Sequence, residues 1–397
     1  MKPTLKIAVN TRLLLKGKLE GIGWFTYETL RRMAKAHPEV EFYFFFDRPY
    51  HPDFVFGENV KPVVIGPQAR HPVLFVIWFE WSLRRALKHL SPDIFLSPDA
   101  YLSLGSKVPA VAVMHDLNFE HFPADLPWLV RWYYRYFFPR FARAARRIAT
   151  VSEFSKRDII EQYGVDASKI DVVYNGANER FVPVSAEVQG KVRAQYSEGA
   201  AYFLFVGSLH PRKNLARLFR AFDIFKQGDG QGRKLLVVGE KKWWTAEIRE
   251  AYASMRFRAD VIFAGRLEAE DLHLVTASAL ASVYVSYFEG FGIPIVEAFR
   301  CGVPVITADA TATREIGAEA AYMVDPFSEQ SIAAALTELS EREDLRKELV
   351  SRGMKRAEDF TWDAASERLW ETLTKALEKN DWASGRGAQE GSSLSGD

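Results

Sequence analysis

Glu289 and Glu297 bracket a Gly-Phe-Gly-Ile-Pro turn within 286-SYFEGFGIPIVEAFRCGVPVI-306. The run 282-SVYVS-286 predicts a strand, and the stretch from Pro294 to Arg300 predicts a helix. A proline suits the first helical turn, where its missing N–H leaves no bond unmade. The amides of Gly292 and Ile293 then face outward at a helix N-terminus, where free donors and the helix dipole attract an anion. Glycine lets a bulky ligand approach the backbone. Glu297 sits one turn in, near enough to accept from hydroxyls attached to that anion. A phosphate held beside two hydroxyl-reading carboxylates suggests a nucleotide sugar. The plainer alternative is a strand–turn–helix with both glutamates solvated.

Three further segments carry residues able to do chemistry. In 206-VGSLHPRKNLARLFRAF-222 a strand ends at Gly207 and a helix begins near Asn214, so Arg212 and Lys213 stand at the strand mouth. Adjacent cations there can neutralise a diphosphate leaving group as it departs; a solvated basic loop is the alternative. His115 and Asp116 end the apolar strand 111-VAVMHD-116, at the carboxyl edge where parallel sheets place ligands. A buried structural histidine is the alternative there. Gly21, Ile22 and Gly23 in 20-EGIGWFTYETLRRM-33 open a helix after the first strand. That turn lacks the third glycine of a dinucleotide fingerprint.

The spacing of Glu289 and Glu297, with F-G-I-P between them, resembles the signature of the family 4 retaining glycosyltransferases. The resemblance covers about residues 5 to 378. It implies the GT-B architecture, an α/β fold of two Rossmann-like doubly wound parallel-sheet domains facing across a cleft. By resemblance, Gly21, Ile22 and Gly23 approach the diphosphate and acceptor, and His115 and Asp116 line the donor-sugar pocket. Arg212 and Lys213 serve the phosphates, although many members place the arginine directly after the glycine, where this chain has Ser208 beside Gly207. Gly265 presents backbone to the nucleobase, with Arg266 and Leu267 flanking it. Gly290, Phe291, Gly292 and Ile293 form the donor turn. Glu289 holds sugar hydroxyls and Glu297 the ribose. The implied catalytic set is His115, Arg212, Lys213 and Glu289.

The activity so implied is retaining, metal-independent transfer of a hexose to a hydroxyl of a glycan or lipid-linked glycan. The P-R-K-N loop and the His-Asp strand end look most like the mannosyltransferase branch, which points to GDP-mannose as donor and to no separate cofactor. No D-x-D triplet and no clustered His/Cys ligand set occurs. Two alternatives stay open: a nucleotide-sugar 2-epimerase of the same fold, and a non-catalytic nucleotide-sugar-binding partner protein.

Elements able to position these groups are legible as short apolar runs alternating with helical stretches. Seven runs precede residue 176: 5-LKIAVN-10, 40-VEFYFFF-46, 60-VKPVVI-65, 93-DIFLS-97, 110-AVAVMH-115, 147-RIATVS-152 and 170-IDVVYN-175. Six follow: 202-YFLFVG-207, 234-KLLVVGE-240, 260-DVIFAG-265, 282-SVYVS-286, 303-VPVIT-307 and 321-AYMVD-325. Continuous apolar runs suit strands buried on both faces of a parallel sheet. The polar stretch 176–190 reads as the boundary, giving an acceptor-binding domain over 1–183 and a nucleotide-sugar domain over 184–361. Residues 362–380 form an amphipathic helix that, by resemblance, crosses back to the first domain. The polar tail 381–397 is expected to be disordered. Ser152 and Ser155 resemble helix caps as much as ligand contacts.

With 397 residues, 48% hydrophobic and 26% charged, the chain has the composition of a soluble two-domain protein. A net charge of +1 gives no global attraction to nucleic acid or membrane. The single cysteine, Cys301, excludes an internal disulfide and fits a reducing cytoplasm. Two helices stand out, 73–90 and 127–147, the second mixing Arg131, Arg135, Arg140 and Arg143 with Trp132, Tyr133, Tyr134 and Tyr136. Basic residues beside aromatics suit peripheral contact with the inner face of a membrane. A helix packed on the first sheet with a charged outer stripe fits equally, and Pro139 is expected to interrupt it. No compact nucleic-acid module surrounds these residues.

Overall fold

The computed structural model describes residues 4–228, 230, 232–240 and 244–383. All thirteen expected runs form strands. The first seven are β1 (Lys6–Asn10), β2 (Glu41–Phe46), β3 (Val60–Val64), β4 (Ile94–Ser97), β5 (Ala110–Met114), β6 (Arg147–Thr150) and β7 (Ile170–Val172). They make one parallel sheet in the order β3-β2-β1-β4-β5-β6-β7. The other six are β8 (Tyr202–Val206), β9 (Lys234–Val238), β10 (Val261–Gly265), β11 (Ala281–Tyr284), β12 (Val305–Ala308) and β13 (Tyr322–Val324). Their sheet is also parallel, in the order β10-β9-β8-β11-β12-β13.

The runs are apolar throughout because each central strand is covered on both faces. Val111, Ala112, Val113 and Met114 of β5 are all buried, as are Phe203, Leu204 and Phe205 of β8. Ile7 pairs with Phe42 on one side and Ile94 on the other, which fixes the register of the first sheet. In the second, Phe219, Phe222 and Phe225 of the helix Leu215–Gln227 join Phe203, Phe205, Leu235 and Val237 in one core. Strand order reverses between β1 and β4 in the first sheet and between β8 and β11 in the second. Such switch points open a crevice at the carboxyl ends of the strands, where doubly wound sheets bind ligands.

The chain divides into two compact units. The first holds the residues up to Val151, Ser155–Val173 and the chain from Asp363 on; the second holds Ser152–Phe154 and Tyr174–Trp362. The terminal helix runs Trp362–Ala383, past the position expected for its end, and residues 384–397 of the expected disordered tail lie outside the described residues. Leu369, Leu373 and Ala376 on this helix are fully buried. Within the first unit, Ser366 Oγ donates to the Thr29 carbonyl at 3.0 Å, Arg32 Nε to Asp363 at 2.5 Å, and Trp370 stacks on His37 at 3.6 Å.

One local expectation is corrected. Helix Trp128–Ala144 continues through Pro139 rather than stopping there. Ser152 Oγ donates to the Gly290 carbonyl at 2.7 Å and Ser155 Oγ to the His115 carbonyl at 3.2 Å. The first amides of helix Glu153–Tyr163 donate to the Glu315 carboxylate, from Glu153 at 2.9 Å and Phe154 at 2.8 Å. Tyr174 Oη donates to the same carboxylate at 3.0 Å.

Candidate active site

The second switch point carries the densest charge cluster among the motif residues. After β8 the chain turns through Pro211–Lys213, and Asn214 adopts a left-handed conformation (φ 65°) before the helix Leu215–Gln227 starts. Asn214 Nδ2 donates to the carbonyls of Val285 at 3.0 Å and Pro326 at 2.6 Å, which ties this loop to the ends of β11 and β13. The turn thereby delivers two cations onto one carboxylate. Arg212 Nη1 donates to Glu289 Oε2 at 2.6 Å and to the Phe288 carbonyl at 3.1 Å. Lys213 Nζ donates to Glu289 Oε1 at 2.6 Å and to Tyr284 Oη at 2.5 Å, and stands 4.7 Å from the centre of the Tyr284 ring.

Lys213, Tyr284 and Glu289 are all buried. Burial alone would push the Glu289 carboxyl up, but the charges of Arg212 and Lys213 overcome it and hold the pKa down at about 2. Burial, then the Glu289 charge, drives the Tyr284 phenol well above its ordinary value, so it stays neutral. The Glu289 amide is fixed as well, donating to Thr311 Oγ1 at 3.2 Å. Thr311 holds φ 47°, a strained setting for a β-branched residue, and such strain gathers at functional sites.

Glycines shape the floor of this cluster. Gly207 and Gly239 end β8 and β9, and a Cβ on Gly239 would lie 1.9 Å from the Gly207 carbonyl oxygen. The Lys213 side chain lies over Gly207, while Ser208 beside it is exposed. Gly239 N–H donates to the Gly265 carbonyl at 2.8 Å, which links the carboxyl ends of β9 and β10. Arg266, just beyond, is exposed and 3.9 Å from Glu240; Leu267 is half-buried.

The donor turn leads into helix Ile293–Arg300, with Pro294 in its first turn and Gly292 ahead of it at φ 111°. Pro294 has no amide hydrogen, and the Ile295 amide donates to the Gly292 carbonyl at 3.0 Å, so the amides offered to an anion are those ahead of Pro294. The Gly290 carbonyl accepts from Ser152. The Phe291 side chain is buried against Phe360 at 5.5 Å, which leaves only its backbone for a ligand. Glu297 is half-buried, and no described residue hydrogen-bonds its carboxylate. Burial raises its pKa to about 7. The two glutamates thus differ sharply: one is a fixed anion locked to cations, the other an unpaired carboxyl poised near neutrality.

In the first unit, His115 Nε2 lies 2.8 Å from the Pro98 carbonyl, and its ring meets Phe25 edge-on at 5.0 Å. Burial lowers its pKa. Phe25 belongs to the helix Gly21–Ala36, which starts at the Gly21-Ile22-Gly23 turn, so this helix and His115 share one corner. Asp116 accepts from the Asn118 amide at 3.1 Å, a local turn ahead of the next short helix. Beside them, the β1/β4 switch point holds a buried pair that no motif signalled. Arg12 Nε donates to Asp99 at 2.7 Å, Asn10 Nδ2 donates to the other Asp99 oxygen at 2.7 Å, and Tyr101 faces the guanidinium at 4.3 Å. Tyr284, Thr311, Asn214 and Gly239 were likewise missed. Only Gly239 had a usable signal, a glycine ending the apolar run 234–239.

Two doubly wound parallel sheets, with paired cations at the second switch point, are the parts of a GT-B glycosyltransferase. Residues 19–181 match the family model of Glycosyltransferase Family 4, and residues 191–356 that of Glycosyl transferases group 1. The chain belongs to this glycosyltransferase family and is a hexosyltransferase. It is 26% identical over 364 residues to O-antigen chain mannosyltransferase B of Escherichia coli, covering 88% of this chain and 94% of that protein. It is also 26% identical over 231 residues to O-antigen chain mannosyltransferase RfbU of Salmonella typhimurium, covering 58% and 61%. The fold is similar to that of Anabaena HepE in complex with UDP and glucose, with TM-score 0.73 and 20% identity over 94% of this chain and 100% of that one. WaaG, a glycosyltransferase involved in lipopolysaccharide biosynthesis, gives TM-score 0.72 and 16% identity over 93% and 99%.

Proposed function

We propose that the chain moves mannose from GDP-mannose to a hydroxyl of a glycan or lipid-linked glycan, with retention of anomeric configuration and without a metal ion. The observation that carries this reading is the Arg212–Glu289–Lys213 cluster at the β8/β11 switch point, beside a helix N-terminus. As the anomeric C–O bond breaks, negative charge accumulates on the departing diphosphate. Arg212, Lys213 and the amides of Gly292 and Ile293 at the start of helix Ile293–Arg300 would receive that charge, in a buried setting where fixed donors act strongly. Glu289 orients the two cations, and Glu297 accepts from the ribose hydroxyls. No group of three or more His, Cys, Asp or Glu residues that could hold a metal is found among the described residues. The mannosyl choice follows the names of the relatives above, and the acceptor is assigned to the first unit.

A panel of nucleotide sugars, read by released nucleotide and by product NMR, tests the reading. GDP-mannose should be turned over fastest, saturating chelator should leave the rate unchanged, and the product should keep the donor's anomeric configuration. An inverted product, a preferred UDP-sugar, or loss of activity with EDTA restored by Mn²⁺ would each overturn the corresponding part.

A further inference from the structure

Two helices of the first unit carry an outer surface that the transfer reaction does not use. One runs from Pro72 to Leu90 with a π-helical turn at Trp78–Leu83; the other is Trp128–Ala144. They pack on each other through Phe75 and Tyr133, with ring centres 5.6 Å apart. Each turns a stripe spaced i, i+4, i+8 to solvent: Val73, Ile77 and Trp81 on the first, Trp128, Trp132 and Tyr136 on the second. Trp81 is 75% exposed, Trp128 71% and Trp132 54%. Of the twelve large apolar side chains exposed among the described residues, these two stripes supply six, including every exposed tryptophan. Scattered apolar residues need no explanation, but concentration on adjoining helices marks an interaction surface.

Charge decides what covers it. From Pro127 to Arg146 there is no acidic residue, while Arg131, Arg135, Arg140, Arg143 and Arg146 all occur. Arg135 has Glu120 at 3.6 Å. Arg131, Arg140 and Arg143 have no carboxylate partner among the described residues, and Arg140 lies over the Tyr136 ring at 3.6 Å. Arg84, Arg85 and Lys88 are exposed on the other helix, whose single acid, Glu80, is taken up by the amides of Leu104 and Gly105 at 2.6 and 3.0 Å. A second copy of this chain would bring like charges together. An anionic lipid surface complements both features, since indole rings settle at the headgroup level and arginines meet the lipid phosphates. No helix among the described residues is long and apolar enough to cross a membrane, so such an attachment would be peripheral.

We infer that the paired stripes Val73/Ile77/Trp81 and Trp128/Trp132/Tyr136 form a docking surface for an anionic lipid bilayer. The surface goes beyond the transfer reaction and does not depend on which sugar is moved. Its test therefore uses the full chain without donor: flotation with phosphatidylcholine vesicles containing or lacking phosphatidylglycerol, at low and high salt. Binding should require phosphatidylglycerol and fall as salt rises. The triple variant Trp81→Ser, Trp128→Ser, Trp132→Ser should lose at least about tenfold in vesicle affinity. Each of Arg131→Gln, Arg140→Gln and Arg143→Gln should lose about fivefold. Transfer to a soluble acceptor and the thermal transition should stay at the parent's values, which separates lost docking from lost folding. Absence of vesicle binding at low salt overturns the inference. So does a parent dimer in light scattering that the tryptophan variant dissociates, which would assign the stripes to a second copy.

Discussion

Lys213 and Glu289 are separated by 76 positions in the chain yet meet at 2.6 Å, and the chemistry rests on that meeting. Lys213→Ala removes the cation that lies over Gly207. Turnover should fall by about a hundred- to a thousandfold, the usual loss on deleting one fixed donor to a developing anion, with little change in binding of the free nucleoside. Stopped turnover assays at saturating donor would show it, and a rate within twofold of the parent would remove Lys213 from the mechanism. Glu289→Gln takes a negative charge away from the phosphate subsite. Nucleoside diphosphate binding by calorimetry should hold or tighten while turnover drops, because the cations lose their shared anchor; weakened diphosphate binding would contradict this role. The two glutamates should also leave opposite marks on stability. Glu289 falls from 4.5 to about 2 on folding, so its contribution is complete above pH 4.5 and disappears as pH falls through 2. Glu297 rises from 4.5 to about 7, so the folded state binds the extra proton and stability declines as pH rises from 4.5 to 7. Denaturant titrations across pH 4 to 8 should therefore show a shallower decline for Glu297→Gln than for the parent. The spacing of the glutamates was legible in the sequence because it is local to one turn. Their partners were not, since the Arg212–Glu289–Lys213 meeting depends on which strands become neighbours, and Tyr284 read only as one more apolar strand residue.

At the scale of elements, the carboxyl ends of β8, β9 and β10 are stitched by backbone alone. Gly207 N–H donates to Val238 at 3.0 Å and Gly239 N–H to Gly265 at 2.8 Å. Gly239→Ala would drive a methyl into the Gly207 carbonyl oxygen and so displace the floor under Lys213. A loss of donor affinity and a destabilisation of about 1–3 kcal/mol are expected, read by calorimetry and denaturant unfolding; Gly190→Ala, in an open helical site, is the control that should be silent. All thirteen strands were foreseen because β-branched and aromatic runs buried on both faces have one good use in an α/β chain. Helix Trp128–Ala144 was misjudged at Pro139 because tertiary packing of Tyr133, Phe138 and Phe141 in the core outweighs the lost hydrogen bond. The Glu315 carboxylate at the start of helix Glu153–Tyr163 was not legible, because it comes from over a hundred and fifty positions away.

For the whole molecule, the terminal helix matters more to the first unit than its place in the sequence implies. Leu369 and Leu373 have no exposed surface, so Leu369→Ala should cost about 2–5 kcal/mol, read as a lowered transition of the first unit in a thermal scan. A change below about 0.5 kcal/mol would mean that the helix merely rests there. The chain passes between its two units at 151/152, 154/155, 173/174 and 362/363, so neither unit is one uninterrupted stretch. That threading bears on recombination. A gene cut between residues 183 and 184, inside the polar stretch that looks like a boundary, would part Ser152 from Gly290 and Tyr174 from Glu315, although each pair lies within one unit. Chimeras that exchange nucleotide-sugar units between relatives should inherit working proteins only when residues 152–154 and 174–183 travel with the unit they serve. The natural cassette for this half is a patchwork of two pieces rather than the C-terminal half of an open reading frame.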